Sequence, residues 1–169
     1  MSLINGLPAH VLLVHVVVVL VPLTALALVV CAVWPRAARR VGIGLPVLAL
    51  VALATVPLTT NAGEWLERHV ASTALVRRHT ELGDGLLPWA LGLFALAVGV
   101  WWVAGRAAAS GTSHAPRRIA LPLRVAAGVL SLAVAAGAVV DVYRIGDSGA
   151  KAAWQGGFSK SATGGDGDD

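Results

Sequence analysis

Residues 11–34 read VLLVHVVVVLVPLTALALVVCAVW. One histidine and no formal charge interrupt this run of about two dozen positions. At ~1.5 Å per residue such a helix crosses the roughly 30 Å of hydrocarbon in a bilayer. It opens after Pro8, a good first-turn residue, and stops at Pro35. The whole composition points the same way. Of 169 residues, 57% are hydrophobic and 13% charged, and mean hydropathy is +0.77, values wrong for a soluble globule.

Upstream, Met1 to Pro8 carry no positive charge. That is not the basic start of a secretory signal, so the first span is expected to stay uncleaved. Downstream, three further runs are long and apolar enough to span: residues 41–60, interrupted by Pro46 and Pro57; residues 86–103, with Pro88 at the start and Trp101 and Trp102 at the end; and residues 119–142. Prolines are tolerated in spans where neighbouring helices can satisfy the freed carbonyls, and indoles favour the headgroup layer. Gly128, Ser131, Ala133 and Gly137 offer small surfaces for close helix contact. The expected fold is an all-α integral membrane four-helix bundle over residues 1–155. From Gly156 onward Gly, Ser and Asp dominate, and 156–169 is expected to be a disordered tail.

The charges are divided between the two ends of these spans. Arg36, Arg39 and Arg40 lie between the first two; Arg106, Arg117 and Arg118 lie between the last two, with Arg124 just inside. All nine acidic residues fall on the other side: Glu64, Glu67, Glu81 and Asp84 between spans two and three, and Asp141, Asp147, Asp166, Asp168 and Asp169 towards the C-terminus. The positive-inside rule then puts both arginine loops in the cytoplasm, with both termini and residues 61–85 outside an inner membrane. In the middle loop, Glu64, Trp65, Leu66, His69, Val70, Leu75 and Val76 recur at roughly helical spacing, which predicts a short amphipathic segment between spans two and three.

On this topology the polar groups gather at the outer end. His10 and His15 occupy the outer turns of span one, His69 and His79 the outer loop, Asp84 the mouth of span three, and Asp141 and Arg144 the outer end of span four. These four histidines are candidate metal ligands. His114 sits alone in the cytoplasmic loop as a solvated residue. His15 lies about five residues deeper than His10, and an ionisable group at depth is a functional-site hypothesis; the alternative is a neutral imidazole bonding a neighbouring helix. The two are turned about 140° apart on an ideal helix, so they cannot chelate one ion from one face. Arg77-Arg78-His79-Thr80-Glu81-Leu82-Gly83-Asp84 places five ionisable residues in eight positions, a pattern that also suits an interfacial cap with arginines on lipid phosphates. Asp141 and Arg144 are spaced to pair on one face. Cys31 has no disulfide partner in the sequence.

There is no Walker loop, dinucleotide fingerprint, Cys-x-x-Cys, His-Glu-x-x-His or nucleophile elbow. Nor do the basic residues form a patch with interleaved aromatics, which argues against a nucleic-acid partner. The opening Asn5-Gly6-Leu7-Pro8-Ala9-His10 with Leu13-Val14-His15, the stretch His79-Thr80-Glu81-Leu82-Gly83-Asp84 and the exit Val142-Tyr143-Arg144-Ile145-Gly146-Asp147-Ser148-Gly149-Ala150-Lys151 resemble a bacterial family of four-span membrane proteins, domain of unknown function 2231. Val11 stands where many members carry a second proline, a departure that leaves the geometry of the first turn open. The resemblance implies four spans and supplies no catalytic residue.

Three functions suit these residues. The leading one is a non-catalytic accessory or scaffolding protein that packs against membrane partners or a second copy, in contact with the lipid bilayer. Another is a haem b or metal-binding electron-transfer protein, with His15 and His79 as first ligand pair, Arg77 or Arg78 on the propionates, and Asp84 or Asp141 orienting an imidazole. The third is proton-coupled transport or sensing through His15 and Asp141.

Overall fold

A computed structural model describes residues 3, 4, 6–109 and 117–155, with side chains placed at 6–106 and 121–155. Asn5, His114 and the tail 156–169 lie outside the described residues, as do the side chains of Arg117 and Arg118. A two-residue antiparallel ribbon, β1 (Leu3–Ile4) with β2 (Leu7–Pro8), precedes the helices. Gly6, at φ +80°, makes its left-handed turn. Then follow α1 (Ala9–Val33), α2 (Pro35–Val41), α3 (Gly44–Glu67), α4 (Ala74–Asp84), α5 (Leu86–Ala109) and α6 (Arg117–Trp154).

Four helices are long and apolar enough to cross a membrane, within Ala9–Val33, Gly44–Glu67, Ala74–Arg106 and Leu121–Trp154. They pack as a ring in which α1 lies against α3 and α6, and α5 against the other sides of α3 and α6. Val21, Leu28, Leu45 and Leu93 fill the centre, and alanines at 25, 49, 90, 97 and 138 let the backbones approach. The chain is a multi-pass membrane protein, an all-helical four-helix bundle.

Helix boundaries differ from the sequence reading for local reasons. Trp34 is extended, and Pro35 restarts the chain as α2, so Val41 belongs to this short helix and not to the second span. Gly42, at φ +53°, makes the turn into α3. Pro57 interrupts the backbone ladder of α3, but Thr55, Thr59, Thr60 and Asn61 each donate to a carbonyl three or four residues earlier, and the helix runs on to Glu67. The amphipathic segment therefore begins later than the spacing suggested. Glu64, Trp65 and Leu66 end α3, and Thr73 starts α4 by accepting from Val76 N at 3.2 Å.

The largest extension is at the C-terminus. α6 has 38 residues, about 57 Å of helix and nearly twice the hydrocarbon thickness. Its last turns leave the apolar stretch and carry α4 on their flank. Of the small residues on α6, Gly137 takes the closest approach: an added Cβ would stand 2.2 Å from the Trp89 ring. Ser131 is fully buried, whereas Ala133 is exposed and lines an apolar groove with Val125 and Val129.

Candidate functional site: an imidazole pair at one end of the bundle

The start of α1, the end of α3, all of α4 and the last turns of α6 meet at one end. His10, half-buried on α1, donates from Nδ1 to Thr59 O of α3 at 3.0 Å. A helix carbonyl is normally screened by the side chain one turn further on. Here that position is Gly63, and a Cβ built there would stand 3.0 Å from His10 Nδ1. His79, half-buried on α4, repeats the arrangement against α6. Its Nδ1 donates to Ile145 O at 3.1 Å, and Gly149, four residues on, leaves the space: an added Cβ would stand 2.8 Å from His79 Cε1. Ser148 Oγ lies 3.1 Å from the same Nδ1 and donates to Ile145 O at 2.8 Å.

The two rings stand edge to face with centroids 6.1 Å apart. Because a carbonyl only accepts, each Nδ1 carries the proton, and a neutral ring then presents its lone pair at Nε2. Burial pushes His79 below the ordinary histidine value. The neighbouring His10 adds to the shift, and the Ile145 carbonyl opposes it. α4 lies outside the apolar part of its span, which begins at Leu86.

The remaining candidates sit elsewhere. His15 is exposed on α1, its Nδ1 donating to Val11 O of its own helix at 2.6 Å; the structure brings His10, not His15, against His79. His69 is exposed just beyond α3, stacked on Trp65 at 4.0 Å and bonded to Trp65 O at 2.7 Å. Arg77, Arg78 and Asp84 are exposed on α4. Asp141 turns inward, with Oδ2 buried and without a hydrogen-bond partner among the described residues, 3.6 Å from where a Cβ of Gly85 would stand. Arg144 points outward, and the two form no salt bridge. Among the described residues of this helix, Asp147 pairs with Lys151 at 2.7 Å. No cluster of three or more His, Cys, Asp or Glu suited to a metal occurs among the described residues.

Sequence reasoning missed Thr59, Gly63, Ile145, Ser148 and Gly149. For two of them a signal existed, since a glycine four residues after a carbonyl opens that carbonyl to a side chain from another helix. The stretches 6–15, 79–84 and 142–151 converge here, each supplying part of the imidazole pair or its cradle. No curated protein and no solved structure is significantly similar to the chain. The family profile described as predicted membrane protein, DUF2231, matches residues 6–162. With nearly the whole chain so matched, it belongs to this family of membrane proteins, domain of unknown function 2231.

Proposed function

We propose that the chain is a non-catalytic accessory protein of the cytoplasmic membrane, inserted with the histidine end outward and the arginine end inward. The orientation follows from charge. Arg36, Arg39 and Arg40 are exposed on α2, and Arg106 and Arg124 are exposed near the same end. Short loops rich in arginine stay on the cytoplasmic side.

The accessory reading is carried by the use made of the polar side chains. His10 and His79 are spent on tying α1 to α3 and α4 to α6 through backbone carbonyls. They close one end of the bundle. The protein's work is then contact within the membrane, with other spans or with a second copy of itself.

Two measurements test this reading. In a Cys31→Ser background, Ser72→Cys should react with an impermeant maleimide in intact cells and Arg39→Cys should not; the opposite pattern would reverse the orientation. Extracted in a mild detergent, the full chain should run as a complex or a dimer. A monomer, both in fresh extract and after concentration, would remove the accessory reading.

A further inference from the structure

Two rings that can each take up a proton stand together between a helix without buried residues and the rest of the bundle. In both, Nδ1 donates to a carbonyl and Nε2 has no hydrogen-bond partner among the described residues, so each ring takes its second proton at Nε2. The centroids stand 6.1 Å apart, edge to face. Close packing leaves neither ring room to withdraw into its own cleft. A Cβ built on Gly63 would stand 3.0 Å from His10, and one built on Gly149 would stand 2.8 Å from His79. Two imidazolium charges held this close repel each other, and the departure of one ring relieves them.

The helix that can give way is α4. α1 is anchored through Val17, Val21 and Leu28 in the core, whereas α4 buries no residue fully. Among the described residues, His79 alone joins α4 to another element by a side-chain hydrogen bond; Thr73 and Thr80 bond within their own segment. Residues 68–73 link α4 to α3 outside any helix, and one residue, Gly85, separates it from α5. The charges around the pair do not neutralise it. From α1 the group beside His79 is His10. The end of α3 carries Glu64 and Glu67, followed by Arg68 and His69, and α4 itself carries Arg77, Arg78, Glu81 and Asp84. The last turns of α6 carry Asp141, Arg144, Asp147 and Lys151, and α5 has no charged residue before Arg106. Among the described residues no carboxylate forms an ion pair with either ring, and Asp147 is held by Lys151. His10 is the charge that bears on His79, where burial and His10 both disfavour the charged ring.

We propose that α4 is an acid-released clasp: protonation of the His10–His79 pair lifts α4 off the last turns of α6 and uncovers Ile145, Ser148 and Gly149. Release returns His79 to water, where a histidine protonates at its ordinary value of about 6.5. Proton uptake therefore favours the released form, and the clasp closes as pH rises above that value. The device acts within one chain and does not depend on the accessory reading.

The test uses the full chain in detergent with Cys31→Ser, carrying nitroxide labels at Ala74→Cys on α4 and Tyr143→Cys on α6, both exposed positions. Double electron–electron resonance at about pH 7.5 should give one distance, and at about pH 5 a second, longer one that disappears on return to neutral pH. His10→Gln and His79→Gln keep a side-chain donor and do not titrate. Each should give the same distances at both pH values. Labels at Val33→Cys and Val103→Cys, exposed near the arginine end, should keep one distance throughout. The proposal is overturned by an unchanged distance between Ala74 and Tyr143 in acid, which needs no histidine variant to fold. It is equally overturned by a pH response kept in either glutamine variant, or by an equal change at the arginine end, which would be unfolding of the whole bundle.

Discussion

At the histidine end, two imidazoles donate to carbonyls 49 and 66 positions away in sequence. At the arginine end the chain turns through backbone bonds only four residues long, Trp34 N to Val30 O and Gly42 N to Ala38 O, and the arginines of α2 are exposed. One end is therefore specified by a few polar contacts between helices, each dependent on a missing side chain. The other is specified by local turn geometry and by charges that act together. The first should be sensitive to single substitutions; the second should tolerate them.

Alanine at glycine positions gives the largest contrast. Gly137→Ala drives a Cβ to 2.2 Å from the Trp89 ring, and Gly149→Ala drives one to 2.8 Å from His79. Overpacking of this kind costs about 1–3 kcal/mol, reduced by the ~1 kcal/mol that alanine gains over glycine in a helix. Both variants should be less stable in detergent, Gly137→Ala the more so. At Gly105, near the arginine end of α5, an added Cβ meets nothing within 4 Å. Gly105→Ala should therefore raise stability by up to about 1 kcal/mol. Equal effects at positions 105 and 149 would remove the distinction between the ends.

Histidine truncation is expected to act on a smaller scale. His79→Ala removes a partly buried donor from Ile145 O and leaves Ser148 as that carbonyl's side-chain partner, a loss of about 0.5–1.5 kcal/mol. His15→Ala removes an exposed ring bonded within its own helix and should stay within about 0.5 kcal/mol of the parent. Thermal unfolding of both variants in one detergent checks the ranking. If His15→Ala were the more damaging, the deeper histidine and not the imidazole pair would carry this end.

Much of the fold was legible because a bilayer restricts the choices. Apolar runs of some twenty residues become spans, and Pro35 and Pro88 sit near helix starts. The run-on of α3 past Thr60 and of α6 past Val142 was not legible, because hydropathy falls where a helix leaves lipid whether or not the helix itself ends. The site was legible only in part. Grouping His10 and His79 at one end needed only the alternation of spans. Choosing between His10 and His15 required the rotation of α1, which a run apolar on every face does not encode. That choice depended on Gly63, a residue without a side chain on a different helix.

The smallest expected effect is a pH dependence confined to one end. Burial first, and His10 second, hold His79 below the ordinary histidine value in the folded protein. Below about pH 6.5 the unfolded chain therefore binds more protons than the folded one at this position, so stability rises with pH across that window. The contribution is present in full above the ordinary value and is lost as pH falls through it towards the folded one. Unfolding of the metal-free full chain in detergent at about pH 7.5 and about pH 5.5 should show lower stability in acid, and His79→Ala should flatten that difference. A slope unchanged in His79→Ala would assign the dependence to another group and leave the imidazole pair silent to protons.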